Sequence, residues 1–178
     1  MKQYQDFGLK GKIPLIGGGT FMDESVLPSM GDEALGTITA LHYSAALDTP
    51  TNKRYAQAYR AKYGKVPSYY STDLYVIAQG IMNAVKAVGG DVENAARFVA
   101  AGRKAKVSDS PAGPVDLDDM GGAVHNVYIK KVERVRGGVQ NTVIYTYPRV
   151  SQFWKHDDEE YLRQPAYDRN NPPCGFRQ

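Results

Sequence analysis

The sequence predicts an α/β fold, on three observations. Ile13-Pro14-Leu15-Ile16 is a short apolar run without polar alternation that enters Gly17-Gly18-Gly19-Thr20, the pattern of a strand buried on both faces of a parallel sheet. From Thr49 to about Ala105, apolar residues recur at three- and four-residue spacing, the period of amphipathic helices. Gly36 to Tyr43 and the two runs flanking Gly137-Gly138 are rich in β-branched and aromatic residues and add further strands.

Taken in order, Met1 to Gly11 reads as the tail of a helix and a turn before the Ile13–Ile16 strand. A parallel strand needs neighbours reached through crossovers of a dozen or more residues. None precedes Ile13, so the opening reads as a helix-to-strand unit entered partway, and the chain is expected to be the C-terminal part of a longer protein. Asp23 to Met30 is expected to be a short helix, capped by Thr20 or Asp23 and stopped at Gly31. Thr49-Pro50 starts the next helix, because proline at the first helical position fixes φ without losing a needed N–H. Its Tyr55, Ala58, Tyr59 and Tyr63 share one face, and Gly64 ends it.

After Pro67, a wide stripe of Leu74, Ile77, Ala78, Ile81, Ala84, Val85 and Val88 closes at Gly89-Gly90. Asp91 is expected to cap a third helix, with Val92, Ala95, Ala96 and Val99 buried. A short strand near Val115–Leu117, a polar turn at Asp118–Gly122 and a hairpin of 124–135 with 139–147 follow. Past Pro148 the chain becomes charged, aromatic and proline-rich, ending in Asn170-Asn171-Pro172-Pro173, and an irregular tail anchored by Phe153-Trp154 is expected.

Composition excludes several classes. Among 178 residues, 22 basic and 19 acidic side chains leave a net charge of +3, without the basic stripe that nucleic-acid binding requires. Cys174 is the single cysteine, so neither an intrachain disulfide nor a thiolate cluster can form. Lys2 is followed by polar residues rather than an apolar run, and no stretch of about 18 apolar residues could span a membrane.

The candidate chemical motifs are weak. If Gly17 and Gly19 open a dinucleotide fingerprint, Met22 stands at its third glycine, and no Gly-Lys-Ser/Thr follows to make a phosphate loop. Asp23 and Glu24 would repel a phosphate there. Asp116, Asp118 and Asp119 resemble a calcium loop only until Met120 and Val127 take the places of ligands. His42, His125 and His156 lack metal-site spacing. No nucleophile elbow is present, and Asp157 to Glu160 reads as a solvated turn or helix start. Tyr69-Tyr70 opens a helix, where aromatic rings can wall a cleft.

The order of segments carries a resemblance. Gln3 to Lys10, Ile13-Pro14-Leu15-Ile16-Gly17, Thr49-Pro50-Thr51-Asn52-Lys53, Tyr59 to Gly64, Pro67-Ser68-Tyr69-Tyr70 with Tyr75, Ser110 to Val115 and Val127-Tyr128-Ile129 together resemble type I periplasmic substrate-binding proteins of ABC transporters, in the branched-chain amino acid (leucine/isoleucine/valine) group. The resemblance implies a partial two-lobe Venus-flytrap fold holding the C-terminal portions of both lobes. Residues 1–43 would belong to the second lobe, 44–122 to the first, 123–147 to a hairpin returning to the second, and 148–178 to an extended tail.

It further implies a solute-binding component of an uptake transporter, periplasmic, without catalysis or cofactor. Its partners would be a small ligand, the permease subunits and the missing N-terminal half of the same protein. Carried over residue by residue, the ligand contacts would be Gly18, Gly19, Thr20 and Phe21 in the turn, with Tyr70 as an aromatic wall. Gly19 stands where the amino-acid binders of the family place a glutamate against the ligand ammonium. A neutral turn beside aromatic rings suits an aromatic or other organic carboxylate. The alternatives are a sensor domain reusing the fold and an enzyme with a glycine-rich cofactor turn. Without first-lobe strands to cover, Leu74, Ile77 and Ile81 are expected to stay partly exposed.

Overall fold

A computed structural model describes residues 1–165 and Asp168. Cys174 and the Asn170–Pro173 segment lie outside the described residues. The fold is α/β, built on a five-stranded sheet in the order β1-β2-β4-β3, with β5 hydrogen-bonded to β4. Helix α1 (Lys2–Asp6) leads to β1 (Ile16–Gly18), which pairs in parallel with β2 (Ile38–Leu41). Strand β2 pairs antiparallel with β4 (Ala123–Val135), and β4 with β5 (Gly138–Val150) and the short β3 (Asp116–Leu117).

The opening strand differs from its expected form. It starts at Ile16 and runs into the glycines, and Ile16 is 70% exposed. Strand β2 is the neighbour it pairs with, and apolar side chains are buried only where a second layer covers them. The expected helix over 23–30 is also reorganised. A 3-10 turn occupies Gly19–Met22 and helix α2 is only Leu27–Met30, because Asp23 and Glu24 are buried and engaged elsewhere rather than placed in a first helical turn.

The helical block follows its sequence signals closely. Helix α3 (Pro50–Tyr63) begins at Thr49, whose side chain accepts from the Asn52 N–H, and ends at Gly64 with φ of 70°, the left-handed conformation glycine adopts without strain. Helix α4 spans Tyr69–Ala87. Helix α5 is Ala95–Lys104 and is capped by Asn94 rather than Asp91, which instead pairs with Arg97. No residue of α5 is buried, and Val92 and Val99 are exposed, a correction to the buried face expected there. On α4, Leu74, Ile77 and Ile81 are half or more exposed, as expected.

The hairpin forms about Gly137-Gly138, but β5 continues through Pro148 to Val150. Proline is tolerated at that point because β5 is hydrogen-bonded on its β4 side and the register shifts between His125 and Val127. Phe153 is buried and anchors the following segment, whereas Trp154 is 46% exposed and stands edge-on to Tyr147. Asp157 then caps a short helix α6 (Asp158–Leu162), so order extends further than the irregular tail expected.

Two cores hold these elements. Met22, Leu27, Ala34 and Val132 pack under the sheet, and Tyr43, Leu47, Tyr69, Ala112 and Tyr128 pack where the strand ends meet the helices.

Candidate ligand-binding site

Close packing makes the glycine turn. A Cβ on Gly17 would lie 2.7 Å from the Phe21 ring, and one on Gly19 would lie 2.5 Å from Leu41 Cβ and 3.0 Å from the Ala40 carbonyl oxygen. At Gly19, where the contacts are a Cβ and a backbone carbonyl, only glycine fits, whereas at Gly17 the Phe21 ring could turn aside. Gly19 is buried, so it can meet a ligand only through its backbone, and the contact with β2 leaves no room for a side chain there. A Cβ on Gly18 would meet nothing within 4 Å. Thr20 and Phe21 are exposed.

Asp23 ties this turn to α4. Its Oδ2 accepts the Tyr69 backbone N–H at 3.2 Å while Oδ1 accepts from Ser25 N at 2.9 Å. The negative charge thereby sits at the positive end of a 19-residue helix. The turn and the Tyr69-Tyr70 pair are brought together by this bond. Tyr70 is 66% exposed, with its ring centre 4.0 Å from that of buried Tyr69. Hydrogen bonding with Tyr70, then burial, push the Tyr69 phenol up to about 12, so it stays neutral near neutral pH.

Behind the turn lies a buried polar knot. Glu24 Oε1 accepts from Ser44 Oγ at 3.2 Å and from Ala45 N at 3.1 Å. Asn52, wholly buried, accepts from Tyr43 Oη at 2.9 Å and donates to the carbonyls of Ala45 and Leu47. Asn141 Nδ2 donates to Met22 O, and Lys130 Nζ donates to Tyr43 O. Burial raises the Glu24 carboxyl above its ordinary range against the pull of Lys130, and burial lowers the Lys130 ammonium against the pull of Glu24 and Asp23. These groups join the turn, the β2–α3 connection and the hairpin.

Reasoning from sequence missed this knot. The pair Asp23-Glu24 read as acids of a helix's first turn, and Asn52 carried no structural reading of its own. For Lys130 a signal was available: Tyr128, Lys130 and Val132 share the period-2 face of β4 that is buried. The histidines were separated by sequence distance, yet His42 and His125 stand with ring centres 5.1 Å apart.

An open α/β sheet whose parallel strand ends in a glycine turn, set against the aromatic start of a helix, is the build of a small-molecule binding module. Comparison with known proteins gives the family. A model described as periplasmic binding protein matches residues 1–138, and the chain belongs to that family. It is 33% identical over 162 residues to Leu/Ile/Val-binding protein homolog 6 of Brucella abortus (strain 2308), a match covering 89% of this chain and 40% of that protein.

Among solved structures, an ABC transporter substrate-binding protein from Sphaerobacter thermophilus superposes with a TM-score of 0.79 at 33% identity, over 83% of this chain and 40% of that one. A solute-binding protein of an ABC transporter from Rhodopseudomonas palustris BisB5, in complex with 3,4-dihydroxybenzoic acid, superposes with a TM-score of 0.78 at 36% identity, over 84% and 41%. The chain thus spans about 40% of the length of the relatives it matches. Among the described residues no helix is long and apolar enough to cross a membrane.

Proposed function

We propose that this chain serves a solute-binding protein of an ABC uptake transporter, in which it forms part of a cleft for an aromatic or other organic carboxylate. Residues 1–43 and the 123–147 hairpin belong to the second lobe, and 44–122 to the first. Gly18, Gly19, Thr20 and Phe21 present one wall, with Tyr70 opposite. The protein works in the periplasm by reversible capture and hands its ligand to permease subunits. No chemistry is performed on the ligand.

The carrying observation is the glycine turn itself. Leu41 and the Ala40 carbonyl leave no space for a side chain at Gly19, so no carboxylate stands there to meet an ammonium group. The exposed Tyr70 ring offers a stacking surface to an aromatic acid. A relative with 3,4-dihydroxybenzoic acid bound, at 36% identity, supports the same reading. A second reading, an aliphatic amino acid ligand, is favoured by the name of the Leu/Ile/Val-binding relative.

Thermal-shift screening of the complete gene product against hydroxybenzoates and aliphatic amino acids separates the two. Stabilisation by hydroxybenzoates, weakened in Tyr70→Ala, is expected. Stabilisation by leucine, isoleucine or valine alone would replace this reading with the second.

A further inference from the structure

We propose that Arg60 and Arg136 form a site for a multivalent oxyanion, a phosphate group or a di- or tricarboxylate. The inference is independent of the ligand reading above, because the cavity concerned shares no residue with Gly18, Gly19, Thr20, Phe21 or Tyr70. That cavity, of about 540 Å³, lies where α2, the β2–α3 connection, α3 and the tip of the β4–β5 hairpin meet. Its size falls within the span of small-molecule pockets. Arg60 joins its lining from the last turn of α3, and Arg136 from the turn between β4 and β5.

Pairing sets these two arginines apart. On the same elements Arg54 lies against Asp109 and Thr51, Arg134 against Asp32, and Arg149 against Asp116. Among the described residues no carboxylate pairs with Arg60 or Arg136, and both are exposed. A guanidinium stays protonated and presents its donors in a planar fork that matches carboxylate and phosphate oxygens. Two such forks reaching one cavity from different elements suit an anion with oxygen atoms on more than one side.

The rest of the lining does not oppose an anion. Glu24 is the only acidic side chain among the described residues that line the cavity. It is 6% exposed, its Oε1 is held by Ser44 Oγ and the Ala45 N–H, and its Oε2 is sealed from solvent. Burial disfavours its charge, and the Lys130 ammonium counters what remains. Gln140 and Asn141 are uncharged, so the accessible charge of the cavity is positive. An oxyanion held by both arginines fastens α3 to the hairpin tip.

Isothermal titration of the complete gene product with inorganic phosphate and with citrate, at constant ionic strength, tests the assignment. One anion per chain is expected, and the tighter of the two tells a phosphate group from a polycarboxylate. Arg60→Gln and Arg136→Gln should each weaken binding at least about 10-fold, through loss of charge-assisted hydrogen bonds. Arg103→Gln, on α5 and outside the cavity, should leave binding unchanged. Absence of saturable binding of either anion at millimolar concentration, or binding that survives in the double variant, overturns the proposal. Should a variant misfold by circular dichroism, phenylglyoxal modification of the unmutated protein, read by peptide mass spectrometry, gives a second readout. The bound anion should protect Arg60 and Arg136 and leave Arg103 as reactive as before. Equal modification of the pair with and without the anion overturns the proposal as well.

Discussion

The glycine turn with its polar knot and the outer face of α4 make opposite use of their sequence. Around Gly19, Asp23, Glu24, Asn52, Lys130 and Asn141, polar side chains are more than nine-tenths buried, and side chains or backbone groups from distant segments satisfy most of their hydrogen-bonding atoms. On α4, by contrast, Leu74, Ile77 and Ile81 are half or more exposed to solvent. Burial in this chain follows which surfaces have a covering layer, and hydropathy alone reverses the order of the two regions. The knot is held by directional bonds that tolerate little change, whereas the helix face carries its apolar groups with little folding energy at stake.

The sharpest way to break the comparison is Asn52→Leu. It removes the acceptor of the buried Tyr43 hydroxyl and the donor to two carbonyls, and a buried polar group left unsatisfied costs about 1–3 kcal/mol. Denaturant unfolding should show a loss of roughly 3 kcal/mol or more. A change below half of that would mean the knot contributes little.

Gly19→Glu comes next. The collision with Leu41 and the Ala40 carbonyl should cost about 1–3 kcal/mol by overpacking. It should not confer amino-acid binding, because the side chain cannot enter the turn without displacing β2. Gain of leucine affinity with unchanged stability would contradict the geometry.

The smallest effect is expected on the helix face. Ile77→Lys, at a half-exposed position, should alter stability by no more than about 0.5 kcal/mol, while fluorescence of a bound hydrophobic dye falls as the apolar patch is interrupted. A stability loss as large as that of Asn52→Leu would show that this face is packed in solution and would erase the contrast between the regions.

Helix α3 was legible almost residue by residue, since Thr49, Pro50 and Gly64 act through local backbone chemistry. The hairpin about Gly137-Gly138 was legible for the same reason. Helix α5 was legible in its existence but not in its cap, as Asp91 and Asn94 are both competent and a single turn separates them. The turn after β1 was legible from its glycines and from the strand that precedes them. What escaped was the knot behind them and the meeting of His42 with His125, because both depend on strand partners far away in the chain.

By itself the sequence determined the α/β class, the helical block, the hairpin, the family and the absence of a carboxylate in the glycine turn. These rest on periodicity, capping and turn residues, whose physical causes act over a few neighbours. Only the tertiary structure decided that Gly19 is glycine because Leu41 crosses behind it, that Asp23 caps α4, that Lys130 is buried, and that two distant histidines face each other. The last two depend on β2 and β4 lying side by side in one register, the Gly19 contact on β1 pairing with β2, and the Asp23 bond on the turn meeting the start of α4. Such pairing is set by long-range hydrogen bonding, which no local window of the chain contains.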